Sequence, residues 1–146
     1  MLLVIDTNIL VGECLRKRGL KRLDDPRLEL LITERADGEF RHEFARRLKF
    51  VAQRSNLSPE VRQGIETDAL DLYARKIFVA SENQYQHLEA QARTRIPDDA
   101  DDWPTLALAL ALSAEIWTED RDFFGCGLSV WRTDVLYGVL DGAEAG

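Results

Sequence analysis

The segment Leu2-Leu3-Val4-Ile5-Asp6-Thr7-Asn8 decides how the chain is read. Its apolar run has the pattern of a buried strand, and the run ends in a carboxylate. A charge at that edge is costly unless something pairs with it. The edge is also where open α/β sheets place their ligand sites. Two further acidic stretches lie downstream, Asp98-Asp99-Ala100-Asp101-Asp102 and Thr118-Glu119-Asp120-Arg121-Asp122. The three together read as parts of one divalent-metal site.

Beyond this segment strands and helices alternate. Strands are expected over residues 2–6, 28–33, 77–80, 116–118 and 128–131. Helices are expected over 7–18, 35–55, from Ser58-Pro59-Glu60 to Lys76, over 82–93, about 103–113, and 133–140. Ser58 caps its helix and Pro59 fits the first turn. Phe40, Phe44, Leu48 and Val51 recur at three-to-four spacing and give the 35–55 helix one apolar face. The segment Leu106-Ala107-Leu108-Ala109-Leu110-Ala111-Leu112 is almost wholly apolar, so its helix is buried on most sides. The alternation predicts an α/β fold with a mostly parallel sheet. Right-handed crossovers then align the carboxyl ends of the strands on one edge. Asp6, Asp102 and Asp120, far apart in sequence, can meet there.

With 146 residues, no repeats and no linker, a single domain spanning 1–146 is expected. The 45% hydrophobic and 31% charged composition is that of an ordinary globular protein. No apolar stretch reaches the length of a membrane span. The first apolar run is too short for a signal peptide and has no basic leader. Cys14 and Cys126 have neither zinc nor disulfide-framework spacing and read as free thiols of a cytoplasmic protein. The net charge of −7 by itself argues against a nucleic-acid binder. Its distribution matters more. Basic residues cluster at 16–22 and 41–54, acidic ones at 98–102 and 119–122, where a bound cation would neutralise them.

Mg²⁺ and Mn²⁺ take carboxylate oxygens and water. Without other cofactors their usual enzymatic use is phosphoryl chemistry. Asp6 is the expected central ligand, with Asp102 and Asp120 completing the set. Asp101 competes for the place of Asp102, which could instead be only a helix N-cap. Asp122 is a further ligand or the cap of a short turn. A fourth acid is expected from the 35–55 helix, where Glu39 and Glu43 share a face. Glu43, closer to Arg46 and Arg47, is the choice; its other role is an ion pair with one of those arginines. Thr7, Asn8 and Thr118 adjoin the ligands and can hydrogen-bond them, or else cap helices and turns. His42 and His87 have no partner at useful spacing. Trp103, Trp117 and Trp131 read as core residues.

These residues resemble the PIN-domain nucleases. Val4-Ile5-Asp6-Thr7-Asn8-Ile9-Leu10 resembles their opening motif, and Glu43 followed by Leu48 their second acidic position. Asp101-Asp102-Trp103-Pro104 before Leu106-Ala107-Leu108-Ala109 resembles the third. Trp117-Thr118-Glu119-Asp120-Arg121-Asp122-Phe123 resembles the fourth. The pieces occur in order from residue 3 to about 124. The resemblance implies a three-layer α/β/α sandwich, often dimeric, acting as a Mg²⁺- or Mn²⁺-dependent ribonuclease with Asp6, Glu43, Asp102 and Asp120 as ligands. Many small bacterial members are toxins held inactive by an antitoxin, so an antitoxin is an implied partner besides RNA and a second copy of the chain. Arg46 and Arg47 are the expected RNA backbone contacts.

Two rivals belong to other classes. A Mg²⁺-dependent phosphotransfer protein needs a late lysine, and residues 77–146 contain none. A non-catalytic PIN-like module that binds RNA or protein would not need all four acidic positions filled.

Overall fold

The computed structural model describes residues 1–145. Five parallel strands form one sheet in the order β3-β2-β1-β4-β5. They are β1 (Leu2–Ile5), β2 (Glu29–Thr33), β3 (Ile77–Ala80), β4 (Glu115–Trp117) and β5 (Val130–Trp131). The helices are α1 (Thr7–Cys14), α2 (Lys17–Leu23), α3 (Glu34–Arg54), α4 (Pro59–Lys76), α5 (Glu89–Arg95), α6 (Trp103–Leu112) and α7 (Thr133–Ala145).

Side chains along a strand point alternately to the two faces, and this period sorts the core into two clusters. Leu3 and Ile5 of β1, Leu30 and Ile32 of β2, and Trp117 of β4 pack with residues of α1, α3, α4 and α7. Val4, Leu31 and Ile116, one position out of step, pack with residues of α5 and α6. The sheet is thus buried on both faces, which is why its strands read as continuous apolar runs. The result is the expected three-layer α/β/α sandwich. The chain leaves β1 toward β2 and β3, then crosses to the other side of β1 to make β4 and β5. Strand order therefore reverses between β1 and β4, the point at which such sheets open a crevice at their carboxyl ends.

Local capping follows the sequence. The Thr33 hydroxyl accepts the Ala36 amide at 3.0 Å and starts α3. The Ser58 hydroxyl accepts the Val61 amide at 3.2 Å and starts α4. Helix α6 stops at Ser113, whose φ of 53° puts it in the left-handed region.

Two helix expectations are corrected. The helix expected over 7–18 ends at Cys14, and α2 begins at Lys17. The two pack so closely that a Cβ on Gly19 would stand 2.2 Å from the Glu13 carbonyl oxygen. The helix expected over 82–93 is two 3₁₀ turns, Glu82–Gln84 and Gln86–Leu88, followed by α5. Between the turns Tyr85 is buried, its ring 6.0 Å from that of Trp103. Tyr85 takes φ −136°, which interrupts any helix. Among the described residues no helix is long and apolar enough to cross a membrane.

Candidate metal centre

Asp6 stands one residue beyond β1, and its amide donates to the Trp117 carbonyl at 2.9 Å, joining the β1 and β4 ends. One oxygen of its carboxylate accepts the Asn8 amide at 3.3 Å, which caps α1. The other accepts the Thr118 hydroxyl at 2.8 Å. Thr118 is fully buried, and its Oγ1 also accepts the Asp120 amide at 2.9 Å. Asp120 accepts the Asp122 amide at 2.9 Å and caps the short turn Arg121–Phe123. One hydroxyl thus sets the relative positions of two acids at the ends of neighbouring strands.

The third acidic wall comes from 3₁₀ turns over Pro97–Asp102, broken at Asp99, where φ is −145° and ψ is 65°. One carboxylate oxygen from each of Asp99, Asp102 and Asp120 lies within 4.8 Å of the others, close enough to share one ion. Asp102 is the N-cap of α6 by position, but its side chain makes no capping hydrogen bond. It faces the cluster instead. Its carboxyl is pushed up to about 7, first by burial, then by a hydrogen bond and charge from Asp99, and then by the charges of Asp120 and Asp6. The Asp122 carboxyl is raised by desolvation and by the charges of Asp120, Asp99 and Asp98. All the donors are carboxylate oxygens, a set that suits a hard divalent cation such as Mg²⁺ or Mn²⁺.

A crevice between this turn and α3 is lined by Asp6, Thr7, Arg35, Glu39, Asp101 and Asp102, among others. The two candidates for the second acid are placed differently. Glu39 lines the crevice, and its Oε2 accepts the Thr7 hydroxyl at 3.4 Å. Glu43 does not line it, and pairs with Arg46 at 2.6 Å. That hydrogen bond holds the Glu43 carboxyl below its usual range. The reason is helical rise: α3 begins at the crevice, and each turn carries a side chain about 5.4 Å further along the axis. Asp101 lines the crevice, but its carboxylate is 85% exposed. Its carbonyl accepts Nη1 of Arg35 at 2.9 Å. Arg46 and Arg47 do not line the crevice. The Asn8 side chain is exposed, so its contribution is its backbone amide. His42 and His87 are exposed, and Cys14 and Cys126 are free and buried.

Sequence reasoning missed Asp99 and Arg35. Asp99 carried no clear signal, because it joins the cluster through a backbone kink at which the 3₁₀ geometry is broken. Arg35 carried none, because an arginine at a helix start looks like any solvated charge.

The family model described as PIN domain matches residues 4–140, and the chain belongs to the PIN-domain family. Its members are typically nucleases and usually bind divalent metals. Among solved structures, the fold is similar to that of FitAB bound to an IR36 DNA fragment. That match has 21% identity, a TM-score of 0.56, and 89% of this chain and 94% of that chain covered. It is also similar to FitAcB from Neisseria gonorrhoeae, with 21% identity, a TM-score of 0.55, and 88% and 96% covered. At this identity the likeness is one of fold. No curated protein matches the chain in sequence.

Proposed function

We propose that the chain is a Mg²⁺- or Mn²⁺-dependent endoribonuclease. The observation that carries the reading is the convergence of Asp99, Asp102 and Asp120 within 4.8 Å, beside Asp6, at the switch point of the sheet. These acids would hold the cation, with Glu39 completing the crevice from α3. A divalent cation there supplies charge neutralisation at the phosphodiester and makes water a stronger nucleophile.

The chain's own residues do the rest. Thr118 holds Asp6 and Asp120 in place by hydrogen bonds, as groups that orient metal ligands do. Asp102 shares a hydrogen bond with Asp99 and keeps its proton to near neutrality, which relieves repulsion in the unloaded cluster. That proton would leave on uptake of a cation. Arg46 and Arg47 lie on α3 away from the crevice, where they are the proposed contacts for the flanking RNA backbone. Surface pairing of Arg46 with Glu43 is weak enough to yield to a phosphate.

The reading includes the toxin role of a toxin–antitoxin pair, with an antitoxin as protein partner, a homodimer as the working form and the cytoplasm as the place of action. The family membership and the likeness to the FitAB structures support it.

The test is cleavage of a fluorescent single-stranded RNA by the purified chain with Mn²⁺. Cleavage lost with EDTA and in Asp6→Asn and Asp120→Asn is expected. RNA binding without any cleavage would mean a binding module.

A further inference from the structure

The crevice has two walls that share no regular secondary structure. One is α3 with Glu39; the other is the kinked turn carrying Asp99 and Asp102. Arg93 grips the turn from its own side. It reaches the Ala100 carbonyl at 3.5 Å and sits 5.8 Å from the centroid of the Trp103 ring. Arg35 comes from the opposite wall. Its Nη1 donates to the Asp101 carbonyl at 2.9 Å, 66 positions away. Its Nε lies 3.5 Å from Glu39 Oε1. The guanidinium therefore spans the crevice beside the acids while bonding to a neutral carbonyl on the acidic turn.

We propose that Arg35 is a positioning residue, its guanidinium bracing the acidic turn against α3 so that Asp99, Asp102 and Glu39 can serve one cation. The inference rests on the metal-centre reading above. It makes the chain's affinity for the ion depend on a residue that carries the same sign of charge as the ion.

That dependence gives a test by sign. If Arg35 were only a nearby positive charge, its removal would tighten cation binding a few-fold, because repulsion would be relieved. If it braces the turn, removal weakens binding about tenfold or more, as for other groups that orient ligands. The measurement is Mn²⁺ affinity of the full chain, read by electron paramagnetic resonance of free Mn²⁺ during titration. Wild type, Arg35→Ala and Arg35→Lys are compared. Lysine keeps the charge but not the planar fork. The bracing role predicts weaker binding in both, with the lysine variant intermediate. The side chain is 55% exposed, so the fold is expected to survive, as thermal melts will check. Should Arg35→Ala not fold, Arg35→Lys decides alone.

Equal or tighter Mn²⁺ binding in Arg35→Ala overturns the inference and leaves the metal centre intact. A wild-type chain that binds no Mn²⁺ overturns both. Cleavage gives a second readout: excess Mn²⁺ is expected to restore the rate of Arg35→Ala. A defect that persists at saturating Mn²⁺ and lies in KM for RNA means that Arg35 contacts substrate, and it overturns the bracing role.

Discussion

The buried hydroxyl of Thr118 donates to the Asp6 carboxylate at 2.8 Å, tying the end of β4 to the acid that follows β1. The same oxygen accepts the Asp120 amide, so one small side chain orients two of the clustered acids. Thr118→Val keeps the shape and removes both interactions. It leaves the half-buried Asp120 amide without its acceptor, a loss of about 0.5–1.5 kcal/mol in unfolding free energy. Mn²⁺ affinity is expected to fall roughly 10- to 100-fold, while Thr118→Ser retains most of both. Urea denaturation and Mn²⁺ titration check the pair of effects.

Glu39 and Glu43 separate cleanly. Glu39 lines the crevice and Glu43 pairs with Arg46. Glu39→Gln is expected to lower RNA cleavage at limiting Mn²⁺ about tenfold or more. Glu43→Gln is expected to stay within about twofold, since exposed ion pairs contribute little. The reverse order in a side-by-side rate assay would restore Glu43 as the second acid.

Asp102 makes the metal-free chain pH-sensitive. Its carboxyl is raised from 3.8 to about 7, so between those values the folded state holds a proton that the unfolded state has lost. The group's contribution is fully present below about pH 4 and is lost as pH rises through about 7. Metal-free Asp102→Asn is therefore expected to be more stable than wild type at pH 7 and above, with the difference shrinking toward pH 4. Loading the site displaces the proton, so Mn²⁺ affinity rises with pH up to about 7 and levels off above it. Thermal melts across pH with EDTA, and calorimetry in buffers of different ionisation heat, check the sign.

Much of this was legible in the sequence, for a physical reason. The strand ends are marked by apolar runs that must be buried on both faces, and a carboxylate just beyond such a run is hard to explain without a partner. Asp6, Thr118 and Asp120 stand out in this way, and the structure brings the three together. The same logic could not locate Asp99, because the kink that turns this residue inward is a backbone feature with no side-chain signature. It favoured Glu43 over Glu39; the two share a helix face and differ only in distance from the sheet edge, which the sequence does not show. The helix expected over 82–93 broke because burial of Tyr85 outweighed local helix propensity.

Gly19 tests the packing of α1 on α2. Gly19→Ala places a methyl 2.2 Å from the Glu13 carbonyl and is expected to cost about 1–3 kcal/mol as the helices move apart. Gly64→Ala, also within a helix, meets nothing within 4 Å and is expected to stabilise by up to about 1 kcal/mol. Chemical denaturation of the two variants gives opposite signs.

Arg46→Ala combined with Arg47→Ala tests whether RNA runs along α3. Each lost phosphate contact lowers the slope of log affinity against log salt by roughly 0.7 for a single strand. Affinity is expected to fall at low salt and to converge with wild type at high salt, with the cleavage rate at saturating RNA unchanged. An unaltered slope would place the RNA elsewhere.

Carboxylates scattered through the sequence meet at the strand ends, where they would share one kind of cation. The most direct measurement is anomalous scattering from a crystal of the chain soaked in Mn²⁺. A manganese peak is expected between Asp99, Asp102 and Asp120, and its loss in Asp120→Asn. A well-ordered crystal with no peak there at millimolar Mn²⁺, or one whose only peaks lie away from these three acids, would overturn that reading.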